Sequence, residues 1–272
     1  MKKVLFIAAI TMVLVTTISA QVKEGKITFE RKTNMHRFIT DPEMKARIPE
    51  FRTDKFELSF NEQASMFKTV VDEEAPDPFA NNGGGGGGGM RMMFRMPETA
   101  TYTDLSNQIQ YEARSIFEKD FLIVDTLKPN NWKLSEETKT IAKYVCKKAT
   151  TMITPQQFNM RIGGGGRGRN NPDSAAAQAK PKQVELVAWY TESIPVSVGP
   201  DNYSGLPGAI LELNTDNGAN VITATEYVAK YSSKELKQPT KGEKMNRAQF
   251  QESMQKIMKD MQNGGGMRIR RD

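Results

Sequence analysis

Short segments in which apolar and polar residues alternate fill much of this 272-residue chain, and they constrain its fold more than any other feature. Alternation with a period of two is typical of a strand with one buried face, and consecutive strands joined by short turns pair antiparallel. The strongest hairpin signal is Asp216-Asn217-Gly218, because Asn-Gly supplies the positive φ angles of a type I′ turn. The sequence therefore predicts a mainly β protein with an antiparallel, curved sheet. Strands are expected at 25–33, 54–61, 64–71, 108–116, 119–127, 184–192, 209–215 and 220–231, while 139–150 is predicted to be extended or a short turn followed by a strand.

Two segments carry helix signals. Asp41-Pro42 predicts an N-cap and a proline at the first position of a short N-terminal helix. Near the C-terminus, apolar residues recur at helical spacing, and Asn246 with Gln249 forms a variant of the capping box. Met245 and Phe250 occupy the positions of a hydrophobic staple around it. We therefore expect a C-terminal amphipathic helix that lays its apolar face on the sheet, with an appendage to the domain as the alternative.

The first 20 residues have the pattern of a secretory signal peptide. Lys2 and Lys3 are followed by an apolar stretch at 4–18 and by Ala20, a small residue that fits cleavage before Gln21. An uncleaved anchor is the alternative, but a run of about 15 apolar residues is short of the roughly 20 that cross a bilayer. The pattern predicts export to the periplasm or to the outer membrane and cell surface, with no transmembrane segment in the mature chain.

Two glycine-rich, low-complexity segments interrupt the chain at about 72–97 and 159–182. Polyglycine has a large ordering entropy and no side chain to bury, which predicts disorder there and in a basic tail at 263–272. The rest of 21–262 is expected to be a single β-rich domain. Much of the net charge of +6 lies in these low-complexity segments. Together with export, this argues against nucleic acid as a partner, although a basic chain by itself would suggest it.

Residues suited to catalysis are few. His36 is the only histidine and Cys146 the only cysteine, so neither a Cys–His pair nor a zinc shell is indicated by spacing. A free cysteine is most often a buried small apolar residue. The glycine runs lack the strand–loop–helix context of a phosphate cradle, and the acidic run at 72–77 is typical of a solvated linker. We expect a protein that is not an enzyme and has no cofactor.

The segment 90–96 contains a cluster of methionine thioethers, which is its one distinctive chemical feature. Thioether sulfur is a soft ligand that suits Cu(I), so a copper-handling role is one hypothesis. The alternative is an adhesive apolar segment in a methionine-rich chain. The candidate ligands are Met90, Met92, Met93 and Met96.

A curved sheet could also hold a lipid or another hydrophobic ligand in its concave face. Trp189, Tyr190, Phe121 and Ile123 are the candidate lining residues. The alternative is that these four belong to the ordinary core, because alternation on strands normally marks the buried face.

The stretch from Gly205 to Gly208, Gly-Leu-Pro-Gly, precedes an apolar run directly. Pro207 and Gly208 fit the two central positions of a type II turn, which requires a positive φ at the second. Turn chemistry explains these residues without a ligand, so the sequence predicts a structural corner, with a binding site as the alternative.

One motif of the second half has Trp132, Tyr144 and Cys146, and another has Trp189-Tyr190 followed by Gly205 to Gly208. Together with the signal peptide, these motifs resemble the GLPGLI family of exported bacterial proteins, which has no assigned activity. The resemblance implies work in the cell envelope with an outer-membrane protein, such as a TonB-dependent receptor, as partner. The leading functional hypothesis is therefore an envelope binding or accessory protein. Ala209-Ile210 departs mildly from the Leu-Ile of the family's name. The residues that carry the resemblance include Trp132, Ile141, Tyr144, Cys146, Lys148 and Ala149 in the first motif, and Ala188, Trp189, Tyr190, Thr191, Ile194, Pro195, Gly199, Pro200, Gly205, Leu206, Pro207 and Gly208 in the second.

Overall fold

A twelve-stranded sheet dominates the computed structural model, which describes residues 23–39, 41–70, 99–116, 119–154, 183–229 and 236–262. The sheet is open and mostly antiparallel, so the prediction of a mainly β, antiparallel fold is confirmed. Its strands are β1 (Gly25–Asn34), β2 (Phe51–Phe60), β3 (Ala64–Val70), β4 (Thr99–Asp104), β5 (Ile109–Ile116), β6 (Lys119–Thr126), β7 (Lys133–Ile141), β8 (Tyr144–Ile153), β9 (Val184–Thr191), β10 (Ala209–Thr215), β11 (Asn220–Val228) and β12 (Glu243–Met245).

The first strand of the chain lies in the middle of the sheet. The spatial order is β12-β6-β5-β4-β3-β2-β1-β11-β10-β9-β8-β7, and β12 with β6 is the one parallel pair in it. Strands β1 to β6 spread in one direction, and β7 to β11 return from the opposite edge to pair with β1. The sheet is thus completed only when the last long strand, β11, meets the first.

Strand β1 shows why these segments form a sheet with one buried face. Its odd-numbered residues are all buried, whereas its even-numbered residues are partly or fully exposed. The buried face continues across β2, β3 and β7–β11 as a single apolar cluster, which we call the main core. Its largest fully buried side chains are Ile27, Phe29, Phe56, Leu58, Phe60, Leu186, Ile194, Ile210, Leu211 and Ile222.

Strands β7 to β11 curl strongly. In a flat sheet, strands three positions apart are separated by roughly 14 Å. Nevertheless the rings of Tyr144 in β8 and Tyr227 in β11 are 5.7 Å apart, edge to face. Likewise Nζ of Lys139 in β7 lies 2.6 Å from Oε1 of Glu212 in β10. This curl brings the β7 edge back over the sheet.

Helix α2 (Arg247–Gln262) begins as the sequence predicts. The backbone N–H of Asn246 donates to Oε1 of Gln249, and the N–H of Gln249 donates back to Oδ1 of Asn246, both at 2.9 Å. The predicted capping box is therefore confirmed. The helix lays its apolar face on β6, which confirms its predicted position, and forms a second cluster that we call the helix patch: Phe121, Ile123, Met245, Phe250 and Met254.

The short N-terminal helix, α1 (Pro42–Arg47), has six residues, which is less than two turns. The N–H of Glu43 donates to Oδ1 of Asp41 at 2.8 Å, as expected for an N-cap.

Three strands have no counterpart in the predictions. The predicted turn and strand at 139–150 is the end of a hairpin whose first strand, β7, is mostly exposed and polar. Strand β4 is threonine-rich and β12 has three residues, so neither shows apolar alternation over a useful length. The β7–β8 turn has positive φ at Ala142 and Lys143, a conformation that normally selects Asn-Gly.

The hairpin predicted at Asn217-Gly218 is confirmed, and these two residues have the positive φ angles of a type I′ turn, +50° and +89°. The N–H of Ala219 donates to the carbonyl of Asp216 at 3.3 Å, which closes this turn, and also to the carbonyl of Thr215 at 3.1 Å; Asp216 has a positive φ as well. The guanidinium of Arg37 donates to the carbonyls of Asp216 and Asn217. The predicted turn therefore lies within a four-residue connection between β10 and β11, and Arg37 stabilises it from outside.

Several predictions lie outside the described residues. They are the signal peptide at 1–20, the glycine-rich insertions at 72–97 and 159–182, and the tail at 263–272. Among the described residues, no helix has the length and apolar character needed to cross a membrane.

Candidate functional site

The loop between β9 and β10 contains the Gly-Leu-Pro-Gly motif, and Gly208 is its fixed corner. A β-carbon on Gly208 would lie 2.0 Å from the carbonyl oxygen of Thr191, and its φ is +152°. Only glycine fits this close approach. The predicted type II turn is wrong, however. The N–H of Ala209, which would close a type II turn, donates instead to the carbonyl of Ile194 at 3.0 Å. The N–H of Gly208 donates to the carbonyl of Leu206 at 2.8 Å. The bond therefore closes a three-residue γ-turn around Pro207.

Gly205, at the other end of the motif, has a different environment. It is exposed, its φ is +87°, and a β-carbon there would meet only the indole of Trp132, at 3.8 Å. Its N–H donates to Oγ of Ser197 at 2.8 Å, which ties the loop to itself. Leu206, between the two, is buried in the main core. Within the motif, Gly208 is therefore a buried position required by close backbone packing, whereas Gly205 is part of the exposed surface.

Trp132 joins the two sequence motifs in space. Its indole N–H donates to the carbonyl of Ser204 at 2.8 Å, and its ring packs edge to face on Tyr203 with centroids 6.3 Å apart. Trp132 thus braces the strand-free segment that precedes Gly205. The sequence marks both Trp132 and the glycine motif, but it does not show that they touch.

A cleft of about 380 Å³ opens beside Gly205 and Ser204. Four connections border it: the β2–β3, β4–β5 and β6–β7 turns, and the β9–β10 loop. Sequence reasoning missed the cleft, because its walls come from segments far apart in the chain. It is lined by Lys23, Glu62, Leu105, Gln108, Leu127, Lys128, Pro129, Pro195, Val196, Ser197, Ser204 and Gly205.

Arg31 fastens the same loop to the central strand. This side chain is 6% exposed, and its Nη2 donates to Oδ1 of Asp201 at 2.5 Å. Its guanidinium lies over the ring of Phe56, 4.2 Å from the centroid. Burial, together with the charge of Asp201, raises the pKa of Tyr203 to about 12. The sequence signal for this contact is a charged residue at an inward position of an alternating strand.

Cys146 is fully buried in the main core, as the sequence predicts. Burial raises the pKa of its thiol to about 11, so the thiol is protonated at neutral pH. A protonated, buried thiol is a poor nucleophile. Cys146 therefore fills the interior between β7 and β8 and is not part of the cleft lining.

The other motif aromatics serve packing. Tyr190 is buried in the main core, and Tyr144 contacts Tyr227 at its edge. Trp189 is partly buried, and Nζ of Lys139 lies 4.5 Å from its ring centroid. This ammonium also binds Glu212, so the Lys139–Trp189 contact belongs to the curl of β7 over the sheet.

The four candidate lining residues of a hydrophobic cup do not meet. Phe121 and Ile123 belong to the helix patch, while Tyr190 and Trp189 belong to the main core and its rim. These residues therefore do not line one cavity, which overturns that lining although the carrier role itself stays a prediction. His36 lies in the β1–β2 connection, where its Nε2 is 2.8 Å from the carbonyl oxygen of Ile48.

The copper hypothesis depends on residues that the structure does not describe. Met90, Met92, Met93 and Met96 all lie in the gap between 70 and 99, so the hypothesis stays a prediction. Within the described ranges, no group of three or more His, Cys, Asp or Glu side chains could hold a metal ion.

The region that forms the braced loop is also where sequence comparison gives a match. Residues 132–212 match the family described as "Protein of unknown function (Porph_ging)". The match starts at Trp132 and ends in β10, so it spans the indole brace, the cleft wall at Ser197–Gly205 and the corner at Gly208. No curated protein is significantly similar to the chain in sequence.

Two solved structures of PNGF-II are similar to the chain at low sequence identity. The structure in space group C2 has a TM-score of 0.50 at 13% identity, and the one in P21 has a TM-score of 0.49 at 13% identity. Each alignment covers 86% of this chain but 33% of the PNGF-II chain. The chain thus spans about a third of the length of PNGF-II. The likeness concerns the arrangement of strands alone.

Proposed function

We propose that this is an exported, non-enzymatic binding protein of the cell envelope, of the GLPGLI type, which captures a partner protein at the cleft beside Gly205. An outer-membrane protein such as a TonB-dependent receptor is the expected class of partner. The N-terminal sequence supports export to the periplasm or to the outer-membrane surface, and the resemblance of the two motifs supports the envelope role.

One observation carries the proposal: motif residues build and brace the cleft wall. The indole of Trp132 donates to the carbonyl of Ser204, and Oγ of Ser197 accepts from the N–H of Gly205, so hydrogen bonds within the protein hold the exposed wall without a ligand. A preformed concave surface with apolar walls and a few placed polar groups is typical of binding sites. A wall held in this way lowers the ordering cost of binding.

Site-specific photo-cross-linking in intact cells tests the proposal. A benzophenone amino acid replaces Pro129, an exposed residue of the cleft rim, and in a matched control it replaces Glu226, which is exposed on β11 outside the cleft. We expect one outer-membrane protein to be cross-linked from position 129 and not from position 226, with its identity read by mass spectrometry. The same adduct from both positions, or none from position 129, would contradict the proposal.

The indole brace offers a second readout. Trp132→Phe keeps the ring against Tyr203 but removes the donor to Ser204. We expect the cross-linking yield from position 129 to fall several-fold while the circular dichroism spectrum is unchanged. An unchanged yield would mean that the brace does not shape the binding surface.

A further inference from the structure

The lining of the cleft indicates the chemistry of its occupant, provided that the proposed binding function is correct. Its walls are largely apolar, and three charged side chains stand among them. The apolar lining residues are Leu105, Leu127, Pro129, Pro195 and Val196, and the charged ones are Lys23, Lys128 and Glu62.

The cleft lining has two positive side chains and one negative one, and only one of the two lysines has a carboxylate partner. Nζ of Lys23 lies 2.5 Å from Oε1 of Glu62, so these two largely compensate each other. Lys128 is exposed and has no carboxylate within ion-pair distance among the described residues. The cleft therefore presents one uncompensated positive charge beside an apolar surface. Complementarity favours a ligand that carries negative charge next to apolar groups.

The polar part of the wall distinguishes between two such ligands. The loop contributes the hydroxyl of Ser197 and the backbone of Ser204 and Gly205. Oγ of Ser197 already accepts from the N–H of Gly205, and the carbonyl of Ser204 from the indole of Trp132, but the Ser197 hydroxyl can still donate and the Ser204 carbonyl has a second lone pair. A peptide can pair with both, whereas an acyl chain would bury the hydroxyl without an acceptor, which costs free energy. The volume of about 380 Å³ is at the small end for ligand pockets, which fits a short segment.

We propose that the cleft binds a short, extended segment of an acidic peptide, with an apolar side chain against Leu127 and Val196 and a carboxylate against Lys128. In this arrangement Lys128 is a contact for the partner's negative charge. Because the ammonium is exposed, the attraction depends on ionic strength. The segment belongs to the partner protein.

A titration of the ¹⁵N-labelled protein followed by NMR tests the proposal. The probes are acetyl-Leu-Val-Asp-Asp-amide and its neutral counterpart acetyl-Leu-Val-Asn-Asn-amide, each added up to about 5 mM, so that even millimolar binding is seen. We expect the acidic peptide to shift the amide signals of residues 105–108, 127–128 and 196–205, and to bind at least five-fold more tightly than the neutral one. The difference should shrink in 0.5 M salt, since the Debye length is then only a few ångströms.

Charge reversal localises the effect. Lys128→Glu should invert the preference between the two peptides, whereas Lys244→Glu, the same change at an exposed position of strand β12, should leave it unaltered. Equal binding of both peptides, an unchanged preference in the Lys128 variant, or shifts outside the cleft would overturn the inference. Shifts in the cleft with decanoate and with neither peptide would assign the site to an anionic acyl ligand and also overturn it.

The two proposals fail separately. If position 129 still cross-links an outer-membrane protein while neither peptide binds, the partner-binding role stands and the acidic segment is wrong. If the peptides bind as expected but no envelope protein is cross-linked, the charge preference stands and the envelope role is wrong.

Discussion

The main core and the helix patch lie on one continuous sheet, but they are built differently. The main core draws on eight strands and the β9–β10 loop, so its contacts join residues far apart in the chain. The helix patch draws on β6, β12 and α2. Beside it, strand β5 carries a buried ionic cluster: Glu112 is 3% exposed and pairs with Arg114 and with Arg247 of α2, whose Nη2 is 2.7 Å from Oε2. Nε2 of Gln110 and Nε of Arg114 have no hydrogen-bond partner among the described residues.

This difference in construction predicts that the two regions unfold at different free energies. Losing a contact in the main core disturbs a network shared by most of the sheet, and its cost should appear as global stability. The helix patch has a small apolar area, and the neighbouring strand β5 has buried polar atoms without partners, which are costly. Regions of this kind open at lower free energy than the rest of a protein.

The largest expected effect comes from removing one phenylalanine from each region. Phe29→Ala should lower the free energy of unfolding by about 4 kcal/mol, because large-to-small changes leave a cavity at a fully buried site. Phe250→Ala should cost about 3 kcal/mol or less and should act mainly on α2. Urea unfolding gives the totals, and hydrogen exchange gives their location. Loss of protection throughout the sheet in the Phe250 variant would show that the two regions are one cooperative unit.

Gly208→Ala tests whether the cleft loop belongs to the main core. The new β-carbon would clash with the carbonyl of Thr191, so we expect a loss of about 3 kcal/mol in the free energy of unfolding. Gly218→Ala is the matched control, since it shares a positive φ but has nothing within 4 Å of the new atom, and should cost about 1 kcal/mol. Similar losses in both variants would mean that backbone conformation, and not the close approach to Thr191, dominates at Gly208.

The pH dependence of the free energy of unfolding tests the burial of Cys146 in the main core. The pKa of Cys146 is about 11 in the folded protein, above its ordinary value near 9, so on raising the pH the unfolded chain loses this proton first. Stability is therefore full below pH 9 and falls as the pH rises towards 11. We expect this residue to contribute on the order of 1–2 kcal/mol to that fall. The measurement is the free energy of unfolding between pH 8 and pH 11, with Cys146→Ala as comparison. If the variant falls as steeply as the wild type, the thiol is not the cause.

The smallest effect is confined to the start of α2. Asn246→Ala removes the acceptor of the Gln249 N–H, which should cost about 1 kcal/mol and weaken exchange protection in the helix. Gln251→Ala, at an exposed position of the same helix, should change stability by less than about 0.5 kcal/mol. Equal effects of the two substitutions would show that the capping box does not hold the helix on the sheet.

Segments with a strong local pattern were predictable from the sequence. The alternation of β1 and the reciprocal cap of Asn246 and Gln249 depend on residues a few positions apart, and both are observed. Strand β7 was not predictable because it is an edge strand with mostly exposed side chains, so no apolar period is imposed on it. The turn at Pro207 differs from its prediction for a related reason: the carbonyl of Ile194, distant in sequence, accepts the N–H of Ala209 that would close a type II turn.

The candidate site likewise has features that were predictable from the sequence and features that were not. The sequence by itself determined which residues matter locally: Trp132, the glycines of the motif and a cysteine fit for the interior. Only the tertiary structure decided that Trp132 reaches Ser204, 72 positions away, and that four connections enclose a cleft beside Gly205. The physical reason is that periodicity and turn chemistry act over a few residues, whereas the curl of the sheet and the meeting of β11 with β1 decide which distant segments become neighbours.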